Sequence, residues 1–498
     1  KELAKPKTCN MRETKQKEQT QKNTAPGLAP IMLRFTELGP DNIEEYRKLS
    51  RHCPYLLSCY SAGVLFMWKS YYSAAYALYS GCVIIRLTIN NKVCFLYPFA
   101  YTDGGDVKEA LAAIEKYTSK NSIPYSFYAV PRDELPRLAL RYTNMSFSVN
   151  RNESEYIYAA GDMKSFAGRK YSGRRNQVRR FKKRYPDAVL REYDQPADHR
   201  RLQRFWERFE DGFKADAPLA LVELEKSKEV FANPHIYGGH FACVEEDGEI
   251  VALCYGEIVG DMLIIHIEKA LVSYEGAYQF MFSGFVNKYG AGCRYVNRED
   301  DVGSPGLRKS KLQYHPIKIE EYISVDVNTE LTRLSEPPKI ETERLVLDLI
   351  SERDEEAYNR LCLDEQHNRY WGYDYREQVT GTPPRDYFWR DAIADYENKV
   401  SLTLAIRRGG EFIGEVVINE FDYRGSANLG VRILPEYTGR GYGREALSAA
   451  AEYALYKIGL DSVTAYCYKG NTASYRLLSS CMKLEGEDEK FYYFQRKA

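Results

Sequence analysis

Residues 429–447 read LGVRILPEYTGRGYGREAL. Apolar residues through Ile433 and Leu434 mark a strand that stops at Pro435, which has no amide hydrogen to give a sheet. Gly439, Gly441 and Gly443 follow, and a helical pattern starts at once. Glycines so spaced let the backbone turn tightly and point successive N–H groups at one place, and the helix N-terminus adds partial positive charge. That geometry suits a pyrophosphate. No G-K-[ST] follows, so it is not a Walker loop, and the spacing is not the dinucleotide G-x-G-x-x-G. Ile433, Leu434, Gly439, Arg440, Gly441, Tyr442, Gly443 and Arg444 are the candidate binding residues, the two arginines adding charge-assisted bonds.

Outward from this string the pattern completes one unit. Residues 401–406 alternate as a strand, 407–411 form a glycine-containing hairpin turn, 412–418 return, and 428–434 make a third strand. A helix over 444–458 carries apolar residues at Ala446, Leu447, Ala450, Ala451, Ala454, Leu455 and Ile458, and a strand over 462–468 follows. The same order occurs twice earlier. The middle copy has strands at 239–244, 250–258 and 262–269, a helix over 274–288 and a strand at 294–297. The first copy is less distinct, with strands at 82–88 and 93–99, a helix over 106–117 and a strand at 125–130. Three repeats of strand-strand-strand-helix-strand predict three α/β (α+β) units with mixed central sheets flanked by helices. The expected boundaries are a disordered tail at 1–31, poor in large apolar residues, units at 32–150 and 151–328, and a last unit at 339–498. Residues 328–339, with Pro337 and Pro338, read as the linker.

The glycine string resembles motif A of the GNAT N-acyltransferases, and ETERLVLDLI (341–350) is similar to the start of their ribosomal-protein alanine acetyltransferase branch. The resemblance spans about 339–498. It implies acetyl-CoA as donor, a primary amine as acceptor (a small molecule or a protein N-terminus), and Asn471 in KGNTASYRLL as a further CoA contact. Thr438 stands where the family has Gln or Arg. Leu478 stands where it often has a Tyr or Ser acid, which leaves Tyr475 as substitute. Ala427 stands where a glutamate often lies, so Glu415 and Glu420 are the candidate bases, each with a solvated strand charge as the alternative reading.

The middle copy's equivalent string, IHIEKALVSYEGAYQFMF (265–282), has only Gly276 at the turn, so the phosphate cradle is absent there. Residues 169–184, RKYSGRRNQVRRFKKR, predict a helix with Tyr171, Val178, Phe181 and Tyr185 inward and a broad basic arc outward. Such an arc grips phosphates or is a solvated surface. With SAGVLFMWKSYYSAAYALYSGCVIIRL (61–87), GRKYSGRRNQVRRFKKRYP (168–186) and NREDDVGSPGLRKSKLQYHP (297–316), residues 32–325 resemble the phosphatidylglycerol lysyltransferase C-terminal domain-like family, a tandem pair of GNAT-like folds. The resemblance implies an aminoacyl-tRNA donor and makes the 169–184 helix a candidate tRNA contact. Glu299, Asp300 and Asp301 near Arg308, Lys309 and Lys311 read as a site for a zwitterionic aminoacyl group or as a structural ion-pair loop; His315 reads as a satisfied histidine.

The whole chain has 498 residues, with 70 Lys+Arg against 70 Asp+Glu, so only local patches can select partners. Its 11 cysteines include no C-x-x-C, which argues against zinc or a disulfide framework and for the cytoplasm. No stretch reads as a membrane span; residues 63–85 come closest but carry Lys69. The expected activity is acetyl transfer to an amine by the last unit. The alternatives are aminoacyl transfer by the first two units, or a binding role in which they deliver RNA or protein to the last.

Overall fold

The computed structural model describes residues 33–213, 220–372, 374–377 and 379–498. The expected tail at 1–31 lies outside the described residues. The first sheet has thirteen strands: β1 (Thr36–Glu37), β2 (Tyr72–Tyr79), β3 (Cys82–Ile89), β4 (Lys92–Phe95), β5 (Phe99–Ala100), β6 (Tyr125–Phe127), β7 (Met145–Ala159), β8 (Val189–Glu192), β9 (His240–Glu246), β10 (Glu249–Val259), β11 (Met262–Ala270), β12 (Tyr295–Asn297) and β13 (Lys318–Val327). The second has eight: β14 (Lys339–Glu341), β15 (Val346–Leu349), β16 (Leu402–Arg408), β17 (Glu411–Asn419), β18 (Ser426–Ile433), β19 (Ser462–Tyr468), β20 (Lys483–Glu487) and β21 (Phe491–Lys497). The helices that matter here are α1 (Val107–Lys120), α2 (Ser172–Arg184), α3 (Ala277–Tyr289), α4 (Glu355–Leu363), α5 (Tyr387–Glu397), α6 (Tyr442–Tyr453) and α7 (Thr472–Ser479).

The hairpins form where the turn chemistry demands. Gly409 and Gly410 both take positive φ between β16 and β17, and Asp247–Gly248 do the same between β9 and β10, the backbone that matches the strands' own twist. The expected strand over 93–99 ends early, at Phe95, with Pro98 in the segment that follows. The stretch 63–85 is a short helix, Ala62–Met67, followed by β2 and part of β3.

All three units follow one plan. Three antiparallel strands lead to a helix on the sheet, and the next strand pairs parallel: β4 with β6, β11 with β12, β18 with β19. In the last unit the edge is then completed in order by β21 and β20. In the first two units that job is exchanged. β13, from the end of the second unit, pairs with β6 of the first, while β7, which starts in the first unit and runs across the expected boundary at 150, pairs with β12 of the second. β7 and β13 also pair with each other along most of their length. Neither strand is among those the sequence pattern predicts, nor are β2, β20 and β21.

The 328–339 segment does more than link. Leu331 is fully buried in the last unit's core, among Ala446, Leu447, Ala454 and Ile458. Arg333 donates to the carbonyls of Ile458 and Gly459, 3.2 and 2.9 Å away, at the end of the π-helical turn Ala454–Ile458 that continues α6, a cation at a helix C-terminus. The two sheets and their helices pack together over residues 33–498.

Because β13 completes the first sheet, residues 33–150 alone should not fold. Circular dichroism and proton NMR of that fragment should show an unfolded chain, whereas 33–328 should fold; a dispersed spectrum from 33–150 would contradict the exchange.

Candidate functional site: a splayed sheet with an open helix N-terminus

β18 and β19 pair at only three positions, ending at Asn428–Thr464. Beyond them β18 stays with β17 as far as Ile433, and β19 stays with β21 as far as Tyr468. The sheet therefore divides, leaving one edge of residues 429–433 without a strand partner. The gap points toward the turn 435–441 and the N-terminus of α6.

That N-terminus is open. Its N-cap is Gly441, with φ 81° and no side chain to cap it. Among the described residues no acceptor takes the backbone N–H groups of residues 439–444. A helix leaves its first N–H groups unpaired, and a side chain or ligand normally satisfies them. Arg440 and Arg444 are exposed beside the row and make no ion pair among the described residues. Tyr442 turns inward under Arg344, 4.8 Å from its ring. Arg344 donates to the Arg440 carbonyl at 3.2 Å and to Glu445 at 2.7 Å, tying the glycine turn to the unit's opening segment. Arg344, in the ETERL string, is not among the binding residues that the sequence predicts. Gly443 is packed closely: a Cβ there would lie 3.0 Å from Leu477 of α7 and 3.5 Å from Ile433. Asn471 caps α7, accepting from Ser474 N–H at 3.1 Å, and its side-chain NH2 donates to nothing among the described residues.

The corresponding helix ends in the other units are closed. In the first, the Asp106 carboxylate accepts from the N–H groups of Lys108 and Glu109 at 2.8 and 3.3 Å. In the middle unit, α2 lies over the turn: a Cβ on Gly276 would be 2.6 Å from the Gln177 carbonyl and 3.0 Å from Phe181. One cradle is filled by its own carboxylate and the other by a helix. A negatively charged ligand has access only to the third.

The three candidate acid–base residues take different places. Glu415 is buried and donated to by Arg432 at 2.6 Å, with its Oε2 unpartnered. Burial works against the Arg432 charge, but Glu415, Cys362 and Tyr358 together outweigh it and hold the guanidinium protonated. Arg432 also stacks 4.3 Å from Trp371, whose ring lies over Gly430, where a Cβ would be 2.8 Å away. Glu420 lies just beyond β17, on the face of the splay opposite α6. Its carboxyl is raised above the ordinary glutamate range by partial desolvation, while the Tyr466 hydroxyl, 3.5 Å away, and Lys116 pull it down. Tyr475 packs against Tyr492 and Phe494, with centroids 4.7 and 5.8 Å apart. Ala427 and Leu478 face the core.

In the first two units the 299–311 cluster mostly serves the fold. Asp301 takes both Arg308 nitrogens at 2.8 Å and the Tyr156 hydroxyl at 2.6 Å. Lys311 donates to the carbonyls of Arg298, Glu299 and Asp300, and His315 lies 3.3 Å from the Lys170 carbonyl. Two residues past the last parallel pair, where the last unit has Gly430, the middle unit has His266. It is held between Glu299 at 2.6 Å and Glu257 at 3.1 Å.

Residues 56–325 match the family model for the phosphatidylglycerol lysyltransferase C-terminal domain, and residues 344–481 match that for the acetyltransferase (GNAT) domain. The chain belongs to the phosphatidylglycerol lysyltransferase C-terminal family. It carries, in addition, a GNAT acyltransferase domain. A conserved protein of unknown function from Bacteroides thetaiotaomicron is similar in fold, with TM-score 0.51 and 23% identity, covering 59% of this chain and 99% of that one. The uncharacterized N-acetyltransferase YoaA of Bacillus subtilis is 28% identical over 28% of this chain and 80% of its own length. An uncharacterized protein of Mycoplasmoides gallisepticum is 22% identical over 38% of this chain, which spans 62% of that relative. Among the described residues no helix is long and apolar enough to cross a membrane, and no three or more His, Cys, Asp or Glu side chains are grouped as a metal site would need.

His266 gives the lysyltransferase-like body a pH dependence. Burial opposes its charge, but the hydrogen bonds to Glu257 and Glu299 outweigh it and push the imidazole up to about 9. Against an ordinary value near 6.5, that stability is complete below pH 6.5 and is lost as pH rises through 9, a change on the order of 3 kcal/mol. The urea midpoint should fall over that interval, and His266→Gln should remove the fall; an identical fall in the variant would acquit His266.

Proposed function

We propose that this protein is an acetyl-CoA-dependent N-acyltransferase acting on a primary amine. The observation that supports it is the row of unsatisfied N–H groups at 439–444, set at the mouth of a split sheet. The row fits the two phosphates of CoA, with Arg440 and Arg444 beside it. The unpaired edge of β18, residues 429–433, then fits the amide-bearing pantetheine arm, which would add to the sheet as a strand does.

In this reading the acceptor approaches from the face carrying Glu420. Its ammonium gives a proton to the Glu420 carboxylate, and the freed nitrogen lone pair attacks the thioester carbonyl carbon. The C–S bond breaks, the nitrogen gives up its second proton as the acetyl amide forms, and CoA leaves as a thiolate that takes up a proton. Glu420 is our choice of base because its carboxyl reaches solvent and its affinity for a proton is raised. Glu415, locked to Arg432, stiffens the neighbouring strand pair. With Leu478 apolar, Tyr475 is the side chain on α7 that we assign to protonate the thiolate.

Gly441→Val forces a β-branched residue into positive φ, and Gly443→Val drives a side chain into Leu477 and Ile433. Calorimetry on the full chain should show CoA affinity falling at least tenfold for each variant. Unchanged affinity in both would mean that CoA, if bound at all, is held elsewhere.

A second reading, aminoacyl transfer from tRNA by the first two units, is favoured by one observation. Arg179, Lys182, Lys183 and Arg184 stand exposed along α2 without ion pairs among the described residues, and Arg180 meets only Glu275, at 4.0 Å. Arg175, expected on the wet arc, instead donates to the carbonyls of Phe166 and Gly168. tRNA binding should weaken steeply with salt, and Arg179→Glu with Lys183→Glu should flatten the slope by about 0.7–0.9 per lost phosphate contact. Absence of salt-dependent binding by the wild type would leave α2 a solvated surface and remove RNA delivery as well.

A further inference from the structure

The strand β19 alternates. Val463, Ala465 and Cys467 face the core under α6 and α7, so Tyr466 and Tyr468 face the other side, where Glu420 lies. There they meet the cross-strand partners Tyr493 and Phe491 of β21. Ring centroids are 4.5 Å apart for Tyr468–Phe491, 5.3 Å for Tyr466–Phe491 and 6.5 Å for Tyr466–Tyr493. Tyr370 adds a fifth ring 5.6 Å from Tyr468. This is no buried core: Tyr466 is 39% exposed and Tyr493 41%. The Tyr466 hydroxyl reaches Glu420, so the platform and the carboxylate form one surface.

Two walls bound it. On one side the segment 368–372 brings Trp371 over Gly430 and Tyr370 onto the platform. On the other, the first unit is clamped to the loop carrying Glu420. Arg424 makes a bidentate pair with Glu115 of α1 at 2.7 and 3.0 Å, and Tyr423 packs 5.3 Å from Tyr125. Lys116, next to Glu115, bears on Glu420 electrostatically.

We propose that the ring platform with Glu420 is the acceptor subsite of the acetyl-CoA-dependent transfer inferred above, and that its substrate is a small monoamine carrying an aromatic ring. The ring stacks on Tyr466 and Tyr493, and the ammonium meets Glu420. A polyamine fits worse. The carboxylates near the platform are already used, Asp488 by the Tyr493 hydroxyl and the N–H groups of Lys490 and Phe491, and Glu487 by Lys469. Lys116 repels a second positive charge at the entrance. A protein N-terminus fits worse because the first unit occupies one side of the approach. The transfer balances: the ammonium gives one proton to Glu420, one N–C bond forms, one C–S bond breaks, and the nitrogen releases its second proton as the adduct collapses, matching the one the CoA thiolate takes up, so that N-acetyl amine and CoA result.

The test titrates phenethylamine, spermidine and a hexapeptide with a free N-terminus into the full chain saturated with CoA, and repeats each with acetyl-CoA under mass spectrometry. Phenethylamine should bind at least tenfold tighter than the others and emerge acetylated. Tyr466→Ala and Tyr493→Ala should each weaken it about tenfold while CoA affinity holds, which also shows that the variants fold. Tyr466→Phe, which keeps the ring, should lose little, and Lys116→Glu should improve spermidine. Tighter binding of spermidine or the hexapeptide overturns the substrate class. No phenethylamine binding with normal CoA affinity overturns the subsite yet spares the donor assignment. Loss of CoA binding itself defeats the donor assignment and takes this inference with it.

Discussion

Three residue pairs, ending at Asn428–Thr464, are all that join the two halves of the C-terminal sheet as a parallel ladder. A longer ladder would close the gap and satisfy the edge of β18 internally. By stopping there, the fold leaves backbone donors and acceptors on 429–433 and, a few residues on, the N–H row of 439–444. Buried or half-buried backbone polar groups are normally paired, so such a run is a cost that a ligand can offset. Gly439 and Gly441, both at positive φ, let the turn bring the row to the mouth, and Gly443 lets α6 close on Leu477.

The three units make this an internal comparison within one chain. The same parallel pair and the same following helix occur in each, but the N–H row is answered differently. In the first unit a carboxylate caps it. In the middle unit α2 covers the turn and a buried His266 with two glutamates stands where Gly430 leaves space for Trp371. The plan of the unit therefore does not specify ligand binding; the residues at the helix N-terminus do.

Much of this was legible in the sequence, for a local reason. Hairpins such as β9–β10 and β16–β17 are specified by two or three turn residues, and α6 by apolar spacing along one helix, so the middle and last units read well. The exchanged strands did not. Residues 145–153, MSFSVNRNE, are mostly exposed and polar, and β7 holds its place through partners more than a hundred residues away, which no local window contains. The glycine cradle was visible because glycine marks backbone conformation directly. The Glu415–Arg432 pair was not, because it depends on the register of two strands, and a shift of one residue would send either side chain to the opposite face. Asp106, read only as the first residue of a helix, caps that helix, and its meaning appears beside the uncapped Gly441.

The connection between the two bodies bears on what the acyltransferase can accept. A tether of polar residues would let the domains move independently. Here the segment between them puts Leu331 in the second body's core and Arg333 at the end of the α6 segment, while the loop after β17 returns to the first body through Tyr423 and Arg424. Glu115 receives Arg424, Arg141 and the Tyr142 hydroxyl together, so the clamp is a network rather than one exposed pair, and networks hold geometry where isolated surface pairs do not. The loop thus anchored is the one that carries Glu420. The first body consequently sets the position of the group we assign to take the proton, and the acceptor face of the second body includes residues of the first.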